Sequence, residues 1–210
     1  MRVLIADDHA IVRKGLAQLI REEFQDSEII EASNSLEVLE KIKIGIWDAI
    51  LIDISMPGRN GLETLKQIRD FSIKAPILVI SMHPEEQYAV RVLKAGASGF
   101  LNKDSATDEL IIAIQKVLSG KKYISASLAE KLAERFENFS EKPLNELLSD
   151  RELQVLQLIA AGKAVGTIAD ELTLSVNTIS TYRTRILEKL NLSNNAELMR
   201  YAIDNGLVQL

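Results

Sequence analysis

At 210 residues, with 47% hydrophobic and 26% charged residues and a formal net charge of −5, the chain has the length for two domains and the composition of a soluble globular protein. It contains no cysteine, which excludes disulfides, thiolate metal sites and a cysteine nucleophile, and its two histidines leave no scope for a histidine-rich zinc centre. The overall acidity means that any nucleic-acid contact must come from a local patch.

The N-terminus passes directly from Met1-Arg2 into the apolar run VLIA with no signal-peptide pattern, so a cytoplasmic protein with no membrane partner is expected. Up to about residue 122, short apolar strands alternate with amphipathic helical stretches. The strands fall at 2–6, 28–32, 49–53, 76–80 and 99–102, and the helices near 10–24, 35–44, 61–71, 85–95 and 105–119. The longest apolar runs, such as PILVI, are too short to cross a bilayer. The alternation predicts an α/β fold, a doubly wound five-stranded parallel sheet over residues 1–122 with helices on both faces. Ligands of such sheets sit outside the carboxyl ends of the strands. Residues 123–145 combine a short helical pattern, SLAEKLAERFENF, with the polar, proline-containing SEKPLNE, and read as a linker. Residues 146–210 show only short helices and predict an all-α four-helix domain. There Ser149 and Glu152 form a capping-box pattern, Gly162 suits a helix end, and Ser175 and Ser193 are expected N-caps.

Three carboxylates fall at strand ends on one sheet edge: Asp7 and Asp8 after the first strand, and Asp53 at the end of the third, within DAILIDISMPG, which reads as a buried strand running into a turn. The first and third strands are neighbours in a doubly wound sheet, so these acids should converge. Their mutual repulsion calls for a cation. Few hard oxygen ligands, with room for water, suit Mg²⁺. Ser81 and Lys103 end two further strands on the same edge, supplying a hydroxyl and an ammonium. Together these groups make a phosphoryl site in which Asp53 is the nucleophile that forms an acyl phosphate. An aspartate pair after a strand also serves as a helix cap, a serine there as a turn residue, and a lone lysine as a solvated charge. The concurrence of five such residues at one edge favours the phosphoryl site.

These motifs, in IADDH, LIDISMPG, ISMH and GFLNKD, resemble the receiver domain of two-component response regulators. The resemblance implies that Asp8, Asp53 and the backbone carbonyl of Ser55 hold Mg²⁺ directly and Asp7 through water, and that a histidine kinase phosphorylates Asp53. It further implies that Ser81 and Phe100 are a switch pair, the ring following the hydroxyl inward. Asp104 stands where many receivers have proline, so no cis-proline is implied, and it is expected to cap the following helix. His83, near the pocket mouth, either tunes hydrolysis of the acyl phosphate or is a plain loop residue.

In the second domain, VGTIADEL, the turn TLS and VNTISTYRTRILEKL form a helix-turn-helix pattern whose second helix suits a major groove. Ile168, Ala169, Leu172, Leu174, Val176 and Ile179 are spaced to pack the two helices together. The other face offers Asn177, Thr178, Ser180, Thr181, Arg183, Thr184 and Arg185. Residues 146–210 carry six Lys and Arg against eight Asp and Glu, but within 176–190 Arg183, Arg185 and Lys189 face only Glu188. Such a weak patch suggests that DNA is bound by dimers. The domain is similar to the LuxR-type helix-turn-helix, and the whole chain resembles a NarL/FixJ-type response regulator. That likeness implies base contacts from Ser180, Thr181 and Thr184, phosphate contacts from Thr178, Arg183, Arg185 and Lys189, and a dimer contact through the last helix. Promoter DNA, a histidine kinase and a second copy on phosphorylation are the expected partners of a transcriptional regulator that is not itself an enzyme. Two alternatives differ in class. A metal-dependent aspartyl phosphatase would place a second acid two residues after the nucleophile, where Ser55 stands. A lactone-binding quorum sensor would lack the Asp7, Asp8, Asp53 and Lys103 set.

Overall fold

Among the described residues, the five segments expected as strands form strands. The computed structural model describes residues 1–56, 61–137 and 147–208, in two units, Met1–Asn138 and Phe139–Leu210. The turn expected at 57–58 and the polar part of the linker at 138–146 lie outside the described residues.

In the first unit, β1 (Arg2–Ala6), β2 (Glu28–Ala32), β3 (Ala49–Asp53), β4 (Ile77–Ser81) and β5 (Gly99–Asn102) form a parallel sheet in the order β2-β1-β3-β4-β5. Period-two alternation sends successive side chains to opposite faces. Val3, Ile5, Leu51, Leu78, Ile80 and Leu101 pack with α1 (Ala10–Glu23) and α5 (Ala106–Leu118). Leu4, Ile50, Ile52, Val79 and Phe100 alternate with them and are buried as well. The remaining helices of the sheet are α2 (Ser35–Ile44), α3 (Gly61–Asp70) and α4 (Glu85–Lys94). In register, Ala6 faces Ile52, Asp53 faces Ile80 and Ser81 faces Asn102. The residues just beyond β1 and at the ends of β3, β4 and β5 therefore crowd one edge.

Beyond α5 the chain returns along β5. The Tyr123 amide donates to the Ser98 carbonyl at 2.9 Å, and the Phe100 amide donates to that of Tyr123 at 3.3 Å. Helix α6 (Ala126–Glu137) follows, with Leu128 buried. The Ser125 hydroxyl accepts the Leu128 amide at the start of α6 and donates to Glu85 of α4 at 2.5 Å.

The second unit is α7 (Asp150–Ala160), α8 (Val165–Leu172), α9 (Val176–Leu190) and α10 (Asn195–Asp204). The Ser149–Glu152 capping box is present, and Gly162, at φ 79°, follows the end of α7. Ser175 caps α9 by accepting the Thr178 amide at 3.1 Å. Three expectations are corrected. Val176 is 52% exposed, because a first-turn side chain of α9 precedes the point where the helix meets its neighbours. Asn194, not Ser193, caps α10, its side chain accepting from Glu197. Asp104 caps nothing: Asn102 accepts the Asp104 amide at 2.9 Å and opens a single 3-10 turn ahead of α5. No helix of the described residues is long and apolar enough to cross a membrane.

Gly61, the first residue of α3, lies directly on the loop that leaves Asp53. A Cβ there would sit 2.3 Å from the Ile54 Cα, a backbone atom that cannot yield without moving the loop. Gly61→Ala is expected to destabilise the first unit by about 1–3 kcal/mol, as overpacking does. Urea denaturation measures this, and an unchanged midpoint would contradict the close approach.

Candidate functional site

The sheet edge gathers a pocket of fixed charges. Asp7 and Asp53 are each 1% exposed, and the Lys103 ammonium lies 2.6 Å from a carboxylate oxygen of both. Its contact with Asp53 is a hydrogen bond, whereas that with Asp7 is an ion pair without hydrogen-bond geometry. The other oxygens are held by backbone: the His9 amide donates to Asp7 Oδ1 at 2.7 Å and the Ser55 amide to Asp53 Oδ1 at 2.8 Å. Arg13 donates to the Asp7 carbonyl at 2.6 Å and also pairs with Glu31 at 3.2 Å, fixing the end of β1. Asp8 lies toward solvent, 2.9 Å from His9 Nδ1.

Burial pushes the Asp53 carboxyl above the ordinary aspartate range, more than Lys103 and the Ser55 amide lower it, and Asp7 adds to the rise. Burial pulls Lys103 down, but Asp53 and Asp7 outweigh it and hold the ammonium above its usual value. Lys103 stays charged beside two carboxylates.

Ligand atoms of Asp7, Asp8, His9 and Asp53 all lie within 4.8 Å of one another, a spacing able to hold a metal ion. The buried Asp7 Oδ2 has no hydrogen-bond donor, and the oxygen-rich donor set suits a hard cation. His9 was missed by sequence reasoning, although its place directly after the acidic pair was a usable signal.

Ser81 and Phe100 have no exposed surface. The Ser81 hydroxyl accepts the His83 amide at 3.1 Å. The His83 ring stacks on Tyr88 with centroids 4.5 Å apart. Burial lowers its pKa below the ordinary histidine value, against the opposing pull of Asp53 and with a smaller push from Lys103.

In the second unit Asn177, Ser180, Thr181, Thr184, Arg185 and Lys189 of α9 are exposed, and Thr178 and Arg183 are half-buried. Arg183 Nε donates to Asn195 of α10 at 2.5 Å, and the Thr178 hydroxyl lies 2.7 Å from that of Ser175. Lys189 is turned away from this group. Its ammonium is 2.6 Å from the buried Glu152 of α7 and donates to the Leu147 carbonyl at 3.3 Å. Burial raises the Glu152 carboxyl, but Lys189 and Ser149 outweigh it and hold its pKa below the ordinary range.

Comparison with known proteins matches both halves: the response regulator receiver domain at residues 3–115, and the luxR family of bacterial regulatory proteins at residues 146–202. The chain belongs to the response regulators. This regulator is 34% identical over 209 residues to the response regulator UvrY of Escherichia coli K12, covering 99% of this chain and 95% of that one. To the oxygen regulatory protein NreC of Staphylococcus epidermidis it is 35% identical over 219 residues, covering 100% of both. Among solved structures it is similar to RcsB of Salmonella enterica serovar Typhimurium, bound to promoter rprA in the presence of the phosphomimetic BeF3⁻. The TM-score is 0.68 and the identity 26%, with 96% of this chain and 97% of that one covered. A receiver followed by a LuxR-type domain is thus the organisation of the regulator.

The raised Asp53 pKa has a consequence for stability. A carboxyl whose folded pKa exceeds its unfolded value contributes stability below the unfolded pKa and loses it as pH rises through the folded one. In EDTA-treated protein, Asp53→Asn is expected to raise the melting temperature at neutral pH and to give little gain in acid, where the wild-type carboxyl is already neutral. Thermal unfolding over that pH range reads the difference, and a lower melting temperature for Asp53→Asn at neutral pH would refute it.

Proposed function

We propose that Asp53 accepts a phosphoryl group from the phosphohistidine of a histidine kinase, and that the modified regulator binds promoter DNA as a homodimer. The observation that carries this reading is the Lys103 ammonium shared by Asp7 and Asp53 at the mouth of a parallel sheet. A carboxylate oxygen of Asp53 attacks phosphorus as the bond to the histidine nitrogen breaks, leaving an acyl phosphate on Asp53 and the imidazole on the kinase. Lys103, already at Asp53, neutralises charge on the transferring oxygens, and the Ser81 hydroxyl donates to one of them. Asp8, Asp53 and the Ser55 carbonyl would hold Mg²⁺, with Asp7 acting through water. When bound, the ion offsets the negative charge that the phosphoryl group brings to these acids.

Functionally, residues 1–122 act as the receiver, 123–145 as the linker and 146–210 as the DNA-binding domain. Ser81 and Phe100 form the switch pair. The regulator serves in the cytoplasm as a transcription factor rather than as a phosphatase, which is supported by the lack of a second acid at position 55. RcsB, the structural relative, is described in complex with DNA and as dimers on DNA. By analogy α9 enters the major groove, with Thr178, Arg183 and Arg185 at phosphates and Asn177, Ser180, Thr181 and Thr184 toward base edges. We assign Lys189 a structural tie to Glu152 in place of the phosphate contact expected of it.

Acetyl phosphate with Mg²⁺ should label Asp53 alone, read by mass spectrometry after borohydride reduction. Asp8→Asn should stay folded but lose the label, and label retained in Asp53→Asn would defeat the reading. In anisotropy titrations over a salt series, Arg185→Ala should reduce the slope of log K against log salt by about one unit per protomer. Lys189→Met should leave that slope unchanged and instead destabilise the second unit by about 1 kcal/mol, a value discounted for the partial exposure of Lys189. A flattened slope with unchanged stability would return Lys189 to the DNA contacts.

A further inference from the structure

The exposed face of α9 has an unusual hydrogen-bonding sense. The Ser180 hydroxyl donates to the Val176 carbonyl at 3.0 Å, that of Thr181 to Asn177 at 2.9 Å, and that of Thr184 to Ser180 at 3.1 Å. A hydroxyl has one proton, and here each is spent inside the helix, so only lone pairs remain to point outward. Beside them stand the methyl groups of Thr181 and Thr184 and the 52% exposed Val176. Among the cations of the helix, Arg183 Nε donates to Asn195 and Lys189 pairs with Glu152, while the exposed Arg185 lies beyond residues 176–184 and is assigned to phosphates. Asn177 is the one amide on the first turns of the helix, and an amide pairs with adenine through N6 and N7.

Base edges in the major groove differ in what they offer to such a surface. Guanine presents two acceptors, N7 and O6, which acceptor-only hydroxyls cannot engage. Adenine presents the N6 amino group, a donor, and its partner thymine presents a methyl. Cytosine also has an amino donor but lacks the methyl. A surface of lone pairs, methyl groups and one amide therefore matches A·T pairs on both strands.

We infer that α9 reads an A·T half-site through hydroxyl acceptors on adenine N6 amino groups and methyl contacts to thymine, with no guanine contact from residues 176–184. The inference rests on the reading of α9 as the groove-entering helix.

The test uses the full-length, acetyl-phosphate-treated regulator. Duplexes are selected from a random pool, and analogues of the selected half-site are then titrated by anisotropy. The selected core is expected to consist of A·T pairs. Replacing a contacted thymine by deoxyuridine, which removes one methyl, should weaken binding about three- to fourfold. Replacing adenine by purine, which removes the amino group, should weaken it by a similar factor, and 7-deazaguanine at any guanine should change nothing. Thr184→Ser should abolish the deoxyuridine effect at one position and Thr184→Val the purine effect, both on an exposed site that leaves the fold intact. A selected G·C core whose binding falls tenfold with 7-deazaguanine would overturn the inference, as would indifference to deoxyuridine. Failure to retain any duplex at low salt would overturn the DNA-binding reading as well, an outcome distinct from retention of the wrong sequence.

Discussion

Two buried carboxylates with one ammonium between them are the constraint on which the first unit depends. Asp7 and Asp53 would repel if left alone, and each is nearly inaccessible to water. Lys103, arriving from the end of β5, lies 2.6 Å from both and offsets their repulsion, hydrogen-bonding Asp53 alone. The pocket carries one net negative charge even before Asp8 is counted, and its clustered oxygens have the spacing to hold a cation. The parallel register makes this possible, since it aligns the end of β3 with the residue after β1 without any contribution from loop conformation.

The second unit uses a similar economy of charge for a different purpose. Glu152 closes the capping box of α7 and also receives Lys189 from the last turn of α9. One buried carboxylate thereby ties the scaffold helix to the exposed one, and the face of α9 opposite that tie is left with polar but largely uncharged groups. Net acidity of the domain then leaves little non-specific attraction for the phosphate backbone, so discrimination among sequences has to come from base edges and from pairing of two copies.

Much of this was legible from residue order. Short runs of four or five residues separated by helical periods gave the strands, their order class and the edge at which to look, and Asp7, Asp8, Asp53, Ser81 and Lys103 all lie there. The boundaries moved by one residue at β4, which draws Ser81 into the strand itself. What the sequence concealed was direction. Nothing local says that Lys189 turns toward an acid 37 residues earlier in the chain, or that Arg13 reaches back to the Asp7 carbonyl. Capping was partly concealed as well: Ser193 and Asn194 are both competent, and only the reach of Glu197 three residues beyond Asn194 decides between them.

Tyr123 ties the segment after α5 into the first unit, which continues to Asn138. Its main chain covers the outer edge of β5, its hydroxyl donates to Glu109 of α5 at 2.6 Å, and Ser125 just beyond is bonded to Glu85. A Cβ on Gly99 would lie 2.8 Å from Tyr123, so the tyrosine is seated directly against the strand. The two main-chain bonds of Tyr123 occupy the start of the β5 edge and shorten the ladder it offers another chain. The piece that could stand alone is therefore longer than the phosphoryl chemistry needs: severed before Tyr123 it would expose a raw strand, whereas severed after α6 it would carry its own seal.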